Sequence, residues 1–436
     1  MFRKIPWFLA AGLAWALAAA PCSAGPAPGT DELRLAIVLT RHGVRSPLGT
    51  DEQMAPLAAA PWPKWEVAPG IQTPRGNELE ALLGAYYRER FIAEGILTGR
   101  KELDSSRVFV RTDNDQRTIE TGRILGRALV PGWEPPIRSK AAGEADPLFS
   151  PSNAHVGHPD PDTAVASVLG RLGGDPAVIE RAYAEQFAIL KGVLYGRPDA
   201  PAPSGSPFDA LSKVVPGKGF ELVQISGPLR AAVTSSESLI LEYEDGKPEA
   251  DVGWGRLTPQ ALMEVMTLHD LYFDLTQRTF YPAQVEASNL ASHLTDTLDQ
   301  AATGRPIPGA IGPASARLVV VVGHDTNIAT LGGLLRLDWW LPGTHMNPTL
   351  PGGALVFELW RRAGTGKFFV RTSYVAQTPK QMREVQPVSL AHPPARAAIF
   401  VPGCGGPGPD FEAALPAFEQ AVRHVVDSGF VVPGEP

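Results

Sequence analysis

The sequence predicts an α/β fold, a mixed sheet flanked by helices with a mostly helical part inserted into it. Three observations carry this. Residues 36–39 (Ala-Ile-Val-Leu) and 318–322 (Leu-Val-Val-Val-Val) are unbroken aliphatic runs, as expected of strands buried on both faces. The second run, and a shorter one at Val108-Phe109-Val110, lead through a few polar residues into helical patterns. Between about Pro147 and Arg305 strand patterns fade, and helical segments separated by Pro/Gly-rich loops dominate.

The chain begins with Arg3 and Lys4 ahead of an apolar stretch, Trp7 to Ala18, that is too short to span a bilayer comfortably. This reads as a secretory signal, residues 1–24, cleaved after Ala24. Pro21 stands where lipid attachment at Cys22 would need a small residue, so a lipoprotein is not expected. A periplasmic or secreted protein follows, with no membrane contact after cleavage. Removing the leader leaves 37 basic against 46 acidic residues. That balance disfavours nucleic acid or an anionic membrane as partner. It also leaves Cys404 alone, so no internal disulfide is expected. Gly403, Gly405 and Gly406 around it read as a loop, and a nucleophilic role for the thiol is not expected.

The strand at 36–39 emerges into Arg41-His42-Gly43-Val44-Arg45-Ser46-Pro47. Gly43 ends it and Pro47 blocks an immediate helix. Open α/β sheets bind ligands at this edge. Planar guanidinium groups suit phosphate oxygens, and a histidine between them can act as nucleophile or proton carrier. Residues 48–69 read as loop. Thr73 is expected to cap a helix with Pro74 at its first position, and Leu79, Leu82, Leu83 and Tyr86 form its apolar face.

The strand at 108–110 leads to Thr112-Asp113-Asn114-Asp115-Gln116-Arg117, with a helix through Leu129. Arg117 therefore sits where a helix N-terminus attracts phosphate, although these residues by themselves favour a surface helix arginine. In the helical stretch, residues 177–195 and 229–243 are the clearest helices. His155 and His158 have no adjoining carboxylate or cysteine cluster, so no metal site is expected. Gly170-Arg171-Leu172-Gly173-Gly174 lacks the strand–turn–helix setting of a nucleotide loop. After the run at 318–322, His324-Asp325-Thr326-Asn327 opens a helix. Residues 355–359 and 368–371 read as a closing pair of strands.

The Arg41–Pro47 string and the His324–Asn327 string, in that order, resemble the two signatures of the histidine acid phosphatases, the branch that includes periplasmic phytases and glucose-1-phosphatases. The resemblance runs from about Leu33 to Cys404. It implies a phosphoglycerate mutase-like core (residues 30–146 and 306–436) and a helical cap (147–305). It also implies hydrolysis of phosphate monoesters without cofactor or metal. His42 would be the nucleophile and Asp325 the proton donor. Arg41, Arg45, Arg117 and His324 would bind phosphate, and Glu237 would line the substrate pocket; from its helix alone, Glu237 could as well be a solvated carboxylate. The phytases carry a threonine and a lysine after the first signature, and several disulfides. Here Leu48 and Gly49 stand in place of that threonine and lysine; Leu48 looks more like the glucose-1-phosphatase side, whereas Gly43-Val44 and Asp325-Thr326-Asn327 look like the phytases. A phosphotransferase or mutase of the same superfamily, and a non-catalytic phosphate-binding protein, are the alternatives. Export argues against the former, and the presence of both His42 and Asp325 against the latter.

Overall fold

A computed structural model describes residues 29–197, 203, 205–218, 221–434 and 436; the expected leader with Cys22 lies outside them. The strands are β1 (Glu32–Arg41), β2 (Val108–Thr112), β3 (Lys213–Pro216), β4 (Val223–Ser226), β5 (Leu318–Gly323), β6 (Ala354–Arg361), β7 (Phe368–Ala376), β8 (Ala395–Ala398) and β9 (Ala413–Ala414). Seven form one mixed sheet ordered β2-β5-β1-β6-β7-β8, with β9 also on β7. β1 and β2 run parallel to β5, whereas β6 is antiparallel to β1, and β7 to β6.

Alternation along the strands divides the core into two layers. Leu35, Ile37 and Leu39 of β1 point to the same side as Val319 and Val321 of β5. Helices Phe280–Thr303, Asp325–Leu334 and Leu415–Val425 cover that side. Ala36 and Val38 point to the other side with Val320 and Val322, under helices Pro74–Ala93 and Gln116–Leu129. Both faces of β1 and β5 are thus buried, which is why their sequences are unbroken aliphatic runs rather than alternating ones. Thr73 caps the Pro74–Ala93 helix by accepting from the Gly76 N–H at 3.0 Å. A Cβ at Gly76 would lie 2.2 Å from the Val44 carbonyl, so only glycine lets this helix approach the loop after β1.

A third apolar cluster lies apart from the sheet. It joins helices Pro161–Arg171, Ala184–Tyr195, Pro228–Glu244 and Pro259–Thr276 with the β3–β4 hairpin. The helix expected over 177–195 is two, Val178–Ala182 and Ala184–Tyr195, because Tyr183 leaves helical geometry at φ −115°, ψ 27°. The stretch 48–69 contains a turn of helix, Asp51–Met54, capped by Thr50. Helix Phe280–Thr303 lies inside the expected 147–305 cap, yet its Ala287, Leu290, Leu294 and Leu298 pack with β1 and β5. We therefore propose to draw the end of the helical insert near Thr279 rather than Arg305.

Candidate active site

The carboxyl ends of β1 and β5 are neighbours in register, Arg41 opposite Gly323. Helix Pro74–Ala93, downstream of β1, packs on one face of the sheet, and helix Asp325–Leu334, after β5, packs on the other. The crevice between the two strand ends is therefore a topological switch point, where open α/β sheets take their ligands. The His42 N–H donates to the Gly323 carbonyl at 3.1 Å, and the Gly43 N–H to Thr121 Oγ1 at 2.9 Å. Asp113, leaving β2, donates its N–H to the Val322 carbonyl at 2.9 Å. Three strand ends thus deliver Arg41, His42, Asp113 and His324 to one place.

His42 is buried, 2% exposed. Its Nδ1 lies 2.8 Å from the Gly43 carbonyl. A carbonyl only accepts, so Nδ1 carries the proton and Nε2 keeps its lone pair. Burial, then the positive charges of Arg41, Arg117, Arg45 and His324, push the imidazole well below its ordinary pKa. Both effects favour the neutral imidazole, the form in which a ring nitrogen is a nucleophile. The His42 and His324 rings meet edge to face, 5.6 Å between centroids.

The cations are held by carboxylates. Arg41 donates to the Thr349 carbonyl at 2.7 Å and to Glu237 Oε1 at 2.9 Å, and lies 2.9 Å from Asp325 Oδ2. Arg45 reaches the same Glu237 oxygen at 2.7 Å. Burial raises the Glu237 carboxyl, but Arg45, Arg41 and His269 outweigh it and hold it down at about 2. Arg117 donates to Asp115 Oδ2 at 2.6 Å. The Nε atoms of Arg41, Arg45 and Arg117 are all buried and without a hydrogen-bond partner, three donors that an anion's oxygens would satisfy.

His324 precedes helix Asp325–Leu334, its N–H donating to Asn327 Oδ1 at 2.9 Å. A Cβ at Gly323 would stand 2.5 Å from that oxygen. His324 Nε2 lies 2.8 Å from Asp113 Oδ2 and 3.5 Å from Asp115 Oδ2. Burial raises Asp113, but the hydrogen bond and charge of His324 outweigh it and keep Asp113 ionised. Asp113, Asp115 and His324 also bring three potential metal-ligand atoms within 4.8 Å, the single such group among the described residues. Asp113 and Asp115 are engaged by His324 and Arg117, so the group serves to orient those side chains. Asp325 opens its helix, accepting from the Thr326 N–H at 2.8 Å.

The site opens on a cleft of about 530 Å³ between sheet and helical insert, lined by Arg45, Leu48, Gly49, Arg230, Glu237 and Asp325 among others. All eight residues singled out from the sequence therefore meet at this cleft or directly beneath it. Cys404 lies elsewhere, half-buried, its thiol pushed up to about 11 by burial.

The model of the histidine phosphatase superfamily (branch 2) matches residues 32–177 and 283–375. The chain belongs to that family. It is 33% identical to Phytase AppA of Escherichia coli (strain K12) over 400 residues, covering 90% of this chain and 91% of that one. It is 26% identical to the Glucose-1-phosphatase of Providencia rettgeri, covering 84% and 86%. The Hafnia alvei phytase in complex with tartrate superposes with a TM-score of 0.85 at 33% identity, covering 93% of this chain and all of that one. This family member is a phosphatase. No helix among its described residues is long and apolar enough to cross a membrane.

The sequence reading missed Asp113, Asp115, Thr349 and the Thr121–Gln72 pair, in which Thr121 Oγ1 donates to Gln72 Oε1 at 2.7 Å behind Gly43. Asp113 and Asp115 sit in the polar run after β2, and a polar run between strand and helix was the available signal.

Burial raises three carboxyls to about 8: Glu80 beside Gly43, Glu244 near Arg41, and Glu242, which accepts from the Gly253 N–H in the insert. A folded pKa above the ordinary 4.5 contributes stability below that value and loses it as pH rises through 8. Glu237, held at about 2, works the other way, its contribution present above 4.5 and lost as pH falls through 2. Urea midpoints measured from pH 2 to 9 are expected to peak near pH 4–5 and to fall on the alkaline side. Glu244→Gln should flatten that alkaline limb. A midpoint still climbing at pH 8 would contradict this.

Proposed function

We propose that this protein is an exported acid phosphatase that hydrolyses small phosphate monoesters through a phosphohistidine on His42. The observation that carries the reading is the neutral imidazole of His42 inside a ring of cations, Nε2 free and three buried guanidinium Nε–H donors unpaired. An anionic phosphate can approach a nucleophile only through such a shell. Arg41, Arg45, Arg117 and His324 would bind the non-bridging oxygens. Nε2 attacks phosphorus, and the P–O bond to the leaving group breaks. Asp325 gives that oxygen its proton. The Asp325 carboxylate then takes a proton from water, whose oxygen attacks phosphorus, breaks the P–N bond and releases inorganic phosphate. Positive charge comes from side chains throughout, so neither metal nor cofactor is required.

p-Nitrophenyl phosphate is the direct test. Turnover in acid, undiminished by EDTA and with water as acceptor, is expected. No turnover would make the protein a binder, and transfer to an added alcohol or sugar in preference to water would make it a transferase.

Leu48 and Gly49 line the cleft where phytases carry threonine and lysine. Arg230, on the opposite wall, is already paired with Glu221 at 2.8 Å and with Tyr272. Few unpaired cations remain for outlying phosphates. Sugar phosphates should therefore be good substrates, with phytate accepted but not preferred. A side chain at Gly49 meets the flexible end of Met54, which can yield. Gly49→Lys is expected to shift kcat/KM towards phytate over glucose 1-phosphate, most at low salt. An unchanged ratio would remove this loop from the specificity account.

A further inference from the structure

Behind the Arg41–Glu237 pair lies a second cavity, of about 680 Å³, larger than the reaction cleft. Glu237 and His269 border both spaces and form the partition between them. The cavity is built where four segments converge: helix Pro228–Glu244, helix Pro259–Thr276, the loop around 342–351, and the short helix Pro379–Arg383. Its wall is mainly apolar, with Tyr243, Leu262, Met263, Met266, Pro348 and Leu350 facing in.

We infer that this cavity is a second binding site, separate from the phosphate site, for an uncharged aromatic molecule carrying a hydrogen-bond donor. Four features point to that class. The volume is that of a small-molecule site, and the lining has the usual character of one, apolar with few polar groups. The charges that line it are matched in pairs: Arg41 is shared between Glu237, Asp325 and the Thr349 carbonyl, and Lys380, largely exposed, lies 3.9 Å from Glu384. Of the other polar side chains in the wall, Thr344, His345 and Thr378 already make hydrogen bonds within the protein, which leaves Asp270, whose Oδ1 accepts from the His269 ring at 3.1 Å. Its carboxylate repels anions and accepts from a neutral O–H or N–H. Methionine sulfurs and a tyrosine ring suit a flat aromatic guest, and the two methionines adapt to its outline.

The probe is N-phenyl-1-naphthylamine, a neutral aromatic amine that fluoresces when it leaves water, titrated into the mature chain. A saturable one-to-one signal is expected, unchanged by saturating inorganic phosphate. Met263 and Met266 are half-buried and face the cavity, so a larger side chain fills the space without disturbing the packed core. Met266→Trp should weaken the probe by about tenfold or more while p-nitrophenyl phosphate turnover, which reports the fold, stays within about twofold. Should Met266→Trp misfold, Met263→Trp, one turn away, makes the same test. Met346→Trp, at an exposed position outside the cavity, should bind like the parent. The inference is overturned by the lack of a saturable signal, by undiminished binding in a folded cavity-filling variant, or by displacement with phosphate.

Discussion

His42→Ala is expected to leave a folded protein whose turnover of p-nitrophenyl phosphate is lower by a factor on the order of 10⁴–10⁶. The fold should survive because the contacts that set this loop are made by backbone. The residue 42 N–H still reaches the Gly323 carbonyl, and Gly43 still reaches Thr121. The imidazole's own bond is to the next residue's carbonyl, and alanine gives it up without unpairing a distant group. The chemistry should not survive, because the groups around position 42 are guanidinium cations and an imidazole hydrogen-bonded to Asp113, none of them a replacement nucleophile. Rapid quenching in base with labelled substrate should trap phosphate on the parent and none on the variant. Activity within tenfold of the parent would refute the assignment of the nucleophile.

Asp325→Asn should divide substrates by leaving group. Glucose 1-phosphate expels a basic alkoxide that needs a proton, whereas p-nitrophenolate leaves without one. A loss of about 10²–10⁴ on the sugar phosphate against about tenfold on the aryl phosphate is expected, the range of general acid catalysis. The aryl substrate is not wholly spared, since asparagine also removes the charge 2.9 Å from Arg41. Equal losses on both substrates would assign Asp325 to holding Arg41 or to hydrolysing the intermediate, not to protonating the leaving group.

The contrast between what the sequence disclosed and what it withheld has a physical basis. β1 and β5 were legible because strands buried on both faces must be apolar at every position. Arg41, His42, His324 and Asp325 were legible because they follow those runs immediately. The Thr73 cap was legible from Thr-Pro. The partners of the cations were not, since Asp115 with Arg117, Asp113 with His324, and Glu237 with two arginines are chosen by strand order and by the approach of the insert. The β3–β4 hairpin was missed because its pattern, four residues a strand and half-exposed, is too short to stand out. Helix Phe280–Thr303 was assigned to the insert because an amphipathic face does not say which neighbour it meets.

The centre of the sheet pairs Ala36 with Leu318, so the first strand of the described chain waits for one that follows the entire helical insert. Loops that long close slowly, and parallel pairing across them cannot begin until both ends are present. A ribosome or export channel that has released the first three hundred residues has released Arg41, His42, Arg45, Arg117 and Glu237, yet has made nothing that can hold phosphate as the finished site does. Nascent chains and C-terminal truncations should therefore be catalytically silent. Activity during synthesis should appear late and abruptly, once the strand ending at Gly323 threads between the two that preceded it.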